Sequence, residues 1–359
     1  MNEVIPYSMP NALALDNTAC ACRTQRKEAQ IEPDKFCASA GREGRLGRPA
    51  SQLPSCLHQL RYQSKWVGTC LGDRVFEEDN SGNLRICLAM APRFCLACGD
   101  FHLAVAVRRS MNSKEKSGID IDREHFVQML AEALKLRRDW RAPLTVLIAG
   151  AADTAILKLI LDAAMRVGGE AFARLLDLTV IDLCETPLEM CRVFAARHDL
   201  FVVTERADIG SFEPARRYGL VVMHGVLPFF PVERRLDYMS HIVKWLDPEG
   251  LLVSSSQIAE SNQSESVDDE VARHRATLET FLAAEASDVV VDRDAMFARL
   301  HRAAKIRGSY PRVFDDVVAL QSFYSKAGLT LLNRHVVATG ETDTSRSYTH
   351  RAVILGKVA

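Results

Sequence analysis

Cysteine and histidine residues near position 100 form the first group whose chemistry depends on spacing. Cys95, Cys98 and His102 place two thiols and one imidazole, ligands that Zn²⁺ prefers, in one short stretch. A closed tetrahedral site needs a fourth ligand, usually supplied as part of a second compact pair. The nearest pair, Cys20 and Cys22, has one residue between its members, which suits chelation poorly. The sequence therefore predicts no metal site, and favours these cysteines as small buried apolar side chains.

Small and polar residues follow a series of short apolar segments further along the chain. Four of these segments have the length and the β-branched residues typical of strands. The first precedes Gly150, the second ends at Asp182, the third lies shortly before Asp208, and the fourth precedes His224. If these strands are parallel, their carboxyl ends meet at one edge of a sheet, where such sheets bind ligands. This rule selects Gly150, Asp182, Asp208 and His224 as candidate site residues.

The turn that follows the first of these segments limits the kind of ligand. It contains a single glycine, Gly150, and lacks the G-x-G-x-x-G pattern with which a backbone approaches a pyrophosphate, so a dinucleotide is disfavoured. Asp153 would repel a phosphate and favours a cationic or zwitterionic ligand. Asp182 is typical of a carboxylate that accepts both hydroxyls of a ribose, with capping of the next helix as the alternative.

Alternating strand and helix patterns must position these residues. Helical periodicity covers residues 122–138, 232–245 and the stretch from Ile156 to the Gly168–Gly169 pair, where a break or kink is expected. Strands are predicted over residues 144–149, 178–182, 200–204, 218–223 and from 251 onward. Thr186 and Glu189 predict a capping box at the start of one helix. The alternation indicates a doubly wound parallel sheet with right-handed crossovers.

The first third of the chain has a different pattern. Strands at 74–78 and 84–88 around an Asp79–Asn83 turn predict a hairpin, and a helix is expected from Phe101. Polar residues 112–118 are typical of a linker. We therefore expect an N-terminal α+β appendage, residues 1–112, that is a cysteine-rich lid or oligomerisation segment, and a main domain over residues 119–359. Residues 55–110 and 260–312 are expected to roof the site.

The composition excludes several classes of partner. The 359 residues carry 45 Lys and Arg against 46 Asp and Glu, and a net charge of -1 gives no electrostatic basis for nucleic-acid binding. No apolar run reaches the about 18 residues of a membrane span. The N-terminus lacks the regions of a secretory signal. We expect a cytoplasmic protein with reduced thiols, a small-molecule substrate, and no nucleic-acid or membrane partner.

Five segments resemble, in order, the motifs of class I S-adenosylmethionine-dependent methyltransferases. They are VLIAGAADT at 146–154, VIDLCETPL at 180–188, ADIGSF at 207–212, YGLVVMH at 218–224 and LDPEGLLV at 246–253. The resemblance covers residues from about 120 to 359 and includes a last helix at 322–332 that leads into the segment 333–337, and an antiparallel seventh strand at Arg351–Leu355. It implies a Rossmann-like doubly wound sheet with a terminal antiparallel strand. In the glycine-rich turn of that family, this chain has Ala152 and Thr154 at the later glycine positions.

The resemblance also implies a cofactor, S-adenosyl-L-methionine. Gly150 would lie beneath its methionine part, Asp182 would bind the ribose hydroxyls, and Asp208 with Ile209 would contact the adenine. The implied cofactor-binding residues are Ala149, Gly150, Ala151, Asp182, Leu183, Asp208, Ile209 and His224.

The expected function is methyl transfer to an oxygen, nitrogen or sulfur atom of a small molecule. His224 is the candidate catalytic residue, because a neutral imidazole can accept a proton near pH 7; a histidine that only hydrogen-bonds in its loop is the alternative. Two other functions stay open. One is a methyltransferase-like protein that binds the cofactor without catalysis, and the other is a nicotinamide oxidoreductase. A homodimer, formed through the N-terminal segment, is the assembly considered.

Overall fold

The structure, a computed structural model, describes residues 76–96, 98–110, 122–137, 139, 142–258, 267–284, 292–308, 313–338 and 350–359. The described residues all belong to one unit, residues 70–359. The predicted linker at 112–118 and all of residues 1–75 lie outside them.

Helices and strands alternate through the middle of the chain, as the sequence predicts. The helices are α1 (Asn80–Phe94), α2 (Phe101–Ser110), α3 (Arg123–Arg137), α4 (Ala155–Ala173), α5 (Glu185–Arg197), α6 (Arg235–Val243), α7 (Val267–Ala284), α8 (Arg293–Gly308) and α9 (Val317–Lys326). The strands are β1 (Leu144–Ala149), β2 (Leu176–Asp182), β3 (Val202–Arg206), β4 (Tyr218–His224), β5 (Leu246–Ile258), β6 (Leu329–Ala338) and β7 (His350–Val358). Among the described helices, none has the length and apolar character of a membrane span.

The strands form one sheet in the order β3-β2-β1-β4-β5-β7-β6. Strands β1 to β5 are parallel, and β7 lies antiparallel between β5 and β6. The predicted doubly wound sheet with a terminal antiparallel strand is confirmed. Because the chain reverses its direction of winding between β1 and β4, the carboxyl ends of these two strands flank the switch point of the sheet.

Side chains alternate along β1 and so supply both faces of the sheet with core residues. Val146 and Ile148 pack in a cluster with Phe126 of α3 and residues of α4 and α5. Leu147 and Ala149 pack in a second cluster with residues of α6 and α9, including the fully buried Tyr324. The two helical layers thus hold the end of β1 rigidly.

A third cluster of buried residues is formed by α1, α2, α7 and α8, which we call the helical cap. The cap packs against Cys184 and Met190, which lie just after β2 and in α5. The sequence predicts that residues 55–110 and 260–312 roof the site. Their described parts pack together at the carboxyl end of β2.

The hairpin predicted at 74–88 is wrong over its described part, because residues 80–94 form α1. Asp79 is the N-cap of this helix, and its carboxylate accepts a hydrogen bond of 2.7 Å from the Gly82 N–H. Leu84, Cys87, Leu88 and Ala91 recur at helical spacing and are buried against the other helices of the cap. Among residues 76–96 and 98–110 of the appendage, the structure contains helices and no strand.

The capping box predicted at Thr186 is also wrong. The N-cap of α5 is Cys184, whose N–H donates to Asp182 Oδ1 at 2.8 Å, and Thr186 lies inside the helix. The kink expected at Gly168 and Gly169 is confirmed by non-helical backbone angles inside α4.

Candidate functional site

The turn after β1 requires a glycine. Gly150 has a φ of +82°, and its N–H donates to the Ile181 carbonyl at 2.9 Å. A Cβ atom on Gly150 would lie 2.9 Å from Cγ2 of Val226, closer than side chains tolerate. The next N–H, that of Ala151, donates to Asp182 Oδ2 at 3.0 Å. The turn is therefore fastened to the end of β2.

Asp182 is a buried carboxylate, 9% exposed, at the carboxyl end of β2. Each of its oxygens accepts one backbone hydrogen bond, from Ala151 and Cys184, and keeps a further lone pair. His102 Nε2 lies 3.7 Å from Asp182 Oδ1. Burial raises the pKa of Asp182, and His102 offsets part of that rise. The hydrogen bond from the Cys184 N–H also fits the alternative role of Asp182, which is to cap the next helix. Capping the helix and binding a ribose are compatible.

Asp153, which follows the turn, is paired with the helical cap. Its Oδ2 atom lies 2.8 Å from Arg109 Nε, and its Oδ1 accepts from the Ala155 N–H. Arg109 Nη2 also donates to both carboxylate oxygens of Glu78, at 2.9 Å each. Since the charge of Asp153 is neutralised from α2, it gives no support to the expectation of a cationic ligand.

The residues after β3 complete the group. The Ala207 N–H donates to the Asp182 carbonyl at 3.0 Å, which brings the end of β3 beside that of β2. Ile209 is buried, and its Cδ1 lies 3.6 Å from the position of a Cβ on Gly150. Asp208 is exposed and accepts from the Gly210 N–H, and Leu183 is 45% exposed. The structure thus gathers the residues selected after β1, β2 and β3 at one edge of the sheet.

His224, at the end of β4, belongs to a buried charged group that we call the Asp122 network. His224 Nε2 lies 3.0 Å from Asp122 Oδ1, and Arg351 Nε lies 2.8 Å from Asp122 Oδ2. The Ser255 hydroxyl donates to the same carboxylate. Asp122 is fully buried, and Arg351 is 2% exposed.

The protonation of this network follows from its geometry. Burial opposes ionisation of Asp122, but His224 and Arg351 hold the pKa of its carboxyl well below the usual range. Burial lowers the pKa of His224, although Asp122 acts in the opposite direction. Nε2 of His224 faces Asp122 Oδ1 at 3.0 Å and Arg351 Nη2 at 3.4 Å. The shorter contact assigns the Nε2–H to the carboxylate, which leaves Nδ1 of a neutral imidazole as the proton acceptor.

Sequence reasoning missed Asp122 and Arg351. The available signals were an acidic residue immediately before the helical pattern of α3, and a single arginine at the head of an apolar strand. It also missed Cys184, whose sulfur lies 3.6 Å from that of Cys95. The contact between Asp122 and Arg351 and the contact between Cys184 and Cys95 cannot be inferred from sequence spacing, because the partners come from distant elements.

The order of the strands, with β7 antiparallel between β5 and β6, decides the fold. The chain has the class I S-adenosylmethionine-dependent methyltransferase fold.

Comparison with known proteins gives likenesses at the level of structure. No family model and no curated protein matches the chain. The N-methyltransferase NodS from Bradyrhizobium japonicum WM9, solved with S-adenosyl-L-homocysteine, has 16% identity and a TM-score of 0.39, over 71% of this chain and 97% of that chain. Magnesium protoporphyrin IX methyltransferase (ChlM) from Synechocystis PCC 6803, solved with bound SAM, has 11% identity and a TM-score of 0.42, over 78% and 98%. A protein from Bordetella parapertussis described as "a possible exported protein" has 16% identity and a TM-score of 0.42, over 79% and 98%. The fold assignment depends on the strand order and not on these values.

Proposed function

We propose that the chain binds S-adenosylmethionine at the carboxyl ends of β1, β2 and β3. The observation that carries this proposal is the convergence of Gly150, Asp182 and Ile209 at one edge of a sheet with the methyltransferase strand order. We further propose that the methyl group goes to an oxygen, nitrogen or sulfur atom of a small molecule.

The residues at this edge suit the parts of the cofactor. Gly150 has no side chain and a positive φ, so the backbone of the turn is open to the methionine part. Asp182 is held in place by two backbone N–H groups and keeps a lone pair on each oxygen for the ribose hydroxyls. Ile209 offers an apolar surface to the adenine, beside the exposed carboxylate of Asp208. These residues therefore fit the group.

The chemistry of methyl transfer is carried by the cofactor, which supplies an electrophilic methyl group on a sulfonium. The chain's part is to align the acceptor with that group and to exclude water. Phe101 of the cap packs edge to face on Phe229, in the loop after β4, with ring centroids 4.8 Å apart. This contact closes the cap against the loop that follows His224.

His224 is proposed as the group that accepts the proton of the acceptor, through Nδ1. Asp122 fixes the ring through Nε2, as a carboxylate does for a catalytic imidazole in other enzymes. Because burial lowers the pKa of His224, the imidazole is neutral at physiological pH and available as a base.

A second candidate is a chain that binds the cofactor without catalysis. The observation in its favour is that Asp122, Ser255 and Arg351 enclose His224 in a network that joins four elements, which is a sufficient structural reason for a histidine there. A nicotinamide oxidoreductase is disfavoured by the single glycine in the turn and by the antiparallel β7.

Calorimetric titration of the full chain with S-adenosylmethionine, S-adenosylhomocysteine and NADH tests the proposal. We expect binding of the first two at one site per chain and no binding of NADH. Binding of NADH, or of none of the three, would overturn it. Formation of S-adenosylhomocysteine from S-adenosylmethionine in the presence of a metabolite extract then separates the enzyme from the non-catalytic candidate.

A further inference from the structure

Four metal-ligating side chains meet beside Asp182: Cys95, Cys98, His102 and Cys184. We propose that they bind one Zn²⁺ ion in a closed structural site that fastens the helical cap to the end of β2. This proposal does not rest on the proposed function, because it concerns a different set of side chains.

The spacing of the ligand atoms matches a tetrahedral zinc site. The four atoms all lie within 4.8 Å of one another, with 3.6 Å between the sulfurs of Cys95 and Cys184 and 3.2 Å between His102 Nδ1 and Cys98 Sγ. Tetrahedral bonds of about 2.3 Å to sulfur and about 2.05 Å to nitrogen separate two sulfurs by about 3.8 Å and sulfur from nitrogen by about 3.6 Å. Side-chain adjustments of up to about 1 Å complete the site.

The turn between α1 and α2 holds the first two cysteines in place. Cys95 ends α1, and the chain reverses through Gly99 and Asp100, which both have a positive φ. The fully buried carboxylate of Asp100 is fixed by Arg299 at 2.9 Å and Arg302 at 2.7 Å, both from α8. A left-handed non-glycine residue held by two ion pairs indicates that this turn is built into the cap.

Two polar groups outside the four ligands, the Asp182 carboxylate and the Thr186 hydroxyl, complete the environment. His102 turns Nδ1 towards the sulfurs and Nε2 towards Asp182 Oδ1, which lies 3.7 Å away, so the carboxylate faces the side of the ring opposite the sulfurs. The Thr186 hydroxyl lies 3.3 Å from Cys95 Sγ, where it can donate to a thiolate. Asp182 is thus in contact with both the zinc ligands and the turn after β1.

The donor set indicates a structural ion. Three thiolates and one imidazole fill all four positions of tetrahedral Zn²⁺ and leave none for a water or substrate. Cys95, Cys184 and His102 are 0%, 1% and 3% exposed, and Cys98 is partly exposed, so the ion would be shielded from solvent on three of its four ligand sides. Since the fourth ligand comes from the residue that begins α5, the ion would join two parts of the chain that are distant in sequence.

Metal analysis of the full chain tests this proposal. The protein is produced with added zinc, purified under reducing conditions and examined by inductively coupled plasma mass spectrometry. We expect about one zinc per chain. Cys98→Ser and Cys184→Ser should each lose at least half of it. Cys191→Ser is the matched control, because Cys191 is equally buried and lies outside the cluster, and it should keep its zinc.

A second measurement on the wild-type chain avoids the folding of variants. Replacement of the ion by Co²⁺ should give the visible absorption of a tetrahedral thiolate complex, and a chelator should raise the number of thiols that react with a thiol reagent. No stoichiometric zinc in the wild type, full zinc in both ligand variants, iron in place of zinc, or a Cys95–Cys184 disulfide under reducing conditions would overturn the proposal. A zinc-loaded chain that fails to bind S-adenosylmethionine would overturn the proposed function and leave the zinc site standing.

Discussion

His224 Nε2 lies 3.0 Å from Asp122 Oδ1, across a separation of 102 residues. Arg351 approaches the same carboxylate from β7, and Ser255 approaches it from β5. One buried acid therefore joins the start of α3 to β4, β5 and β7. These elements surround the half of the switch point opposite Asp182, so the network holds that half of the proposed cofactor edge in shape.

Asp122→Asn should be strongly destabilising. It leaves the Arg351 guanidinium, 2% exposed, without the carboxylate that compensates its burial. Removal of one member of a buried ion pair costs about 3–5 kcal/mol. Urea unfolding followed by circular dichroism measures the loss.

The matched control for this change is Asp247→Asn. Asp247 pairs with Arg137 at 2.7 Å, but the two side chains are 30% and 23% exposed. An exposed pair contributes about 0–1 kcal/mol. Equal losses in the two variants would contradict the view that burial makes the Asp122 network important.

The stability of the chain should fall as the pH drops below about 6.5, partly because of His224. Burial lowers its pKa in the folded state, so the unfolded chain binds the proton first and is favoured as the pH falls. The charged groups that face His224 are Asp122, Arg351 and Asp153. Asp122, whose pKa is also lowered, loses its stabilising contribution only at much lower pH, below its unfolded pKa.

Comparison with His224→Asn isolates this contribution. The free energy of unfolding of the wild type should decline more steeply than that of the variant between the unfolded pKa and the lower folded pKa, by at most about 1.4 kcal/mol per pH unit. Parallel pH profiles for the two proteins would show that His224 titrates normally in the fold.

The sequence predicts the sheet well because its signals are local. β1 lies over residues 144–149 as predicted, and Gly150 and Asp182 stand at the ends of β1 and β2 because short buried runs end at small or acidic residues. The edge strand β3 has no buried residue and lies at 202–206, two residues beyond the predicted segment, with Asp208 shortly after it. The hairpin at 74–88 fails because its local signal is ambiguous. The Asp79–Gly82 pattern that suits a turn also caps a helix, and the burial of Leu84 and Leu88 against the other helices of the cap decides between them.

The side-chain partners of the site could not be predicted in this way. Asp122 and His224, like Cys95 and Cys184, come together only after the sheet has formed. A search for zinc ligands as two compact pairs in the sequence therefore misses the proposed site, because its fourth ligand, Cys184, stands alone just after β2. Tertiary contact, and not spacing, defines both groups.

Asp182→Asn should weaken S-adenosylhomocysteine binding by about 1.5–3 kcal/mol, because it removes the charge from the hydrogen bonds to the ribose. Asp177→Asn is the control, since Asp177 is a buried acid in the same strand, at its amino end, and pairs with Arg216. Calorimetry of both variants measures the effect. An unchanged affinity in Asp182→Asn would show that this carboxylate serves only the start of α5 and the turn after β1.

Gly150→Ala should abolish cofactor binding. The new Cβ would have a positive φ and would lie 2.9 Å from Val226, so the turn must move. Gly169→Ala is the control for backbone strain. Gly169 also has a positive φ, but a Cβ there meets nothing within 4 Å. The control should lose stability by about 1–3 kcal/mol and keep its affinity for S-adenosylhomocysteine. A similar affinity loss in both variants would point to general loosening of the fold.

His224→Ala tests the proposed proton acceptor. Loss of a general base should lower kcat by roughly 100-fold, with little change in cofactor affinity. An imidazole with an ordinary pKa would give a wild-type rate that rises through about pH 6 to 7. Because burial lowers the pKa of His224, the rise should instead occur at lower pH, and the rate should be flat near pH 7.

His224→Gln distinguishes a base from a structural member of the Asp122 network. The glutamine amide nitrogen can take the place of Nε2 and donate a hydrogen bond to Asp122, but it cannot accept a proton. If Nδ1 is the base, both variants lose turnover and the acid limb of the pH profile disappears. If His224 only joins β4 to α3, His224→Gln keeps most of the activity and the pH profile of the wild type, while His224→Ala loses stability. Full activity in His224→Ala would end the proposed role of the imidazole and leave cofactor binding at Asp182 unaffected.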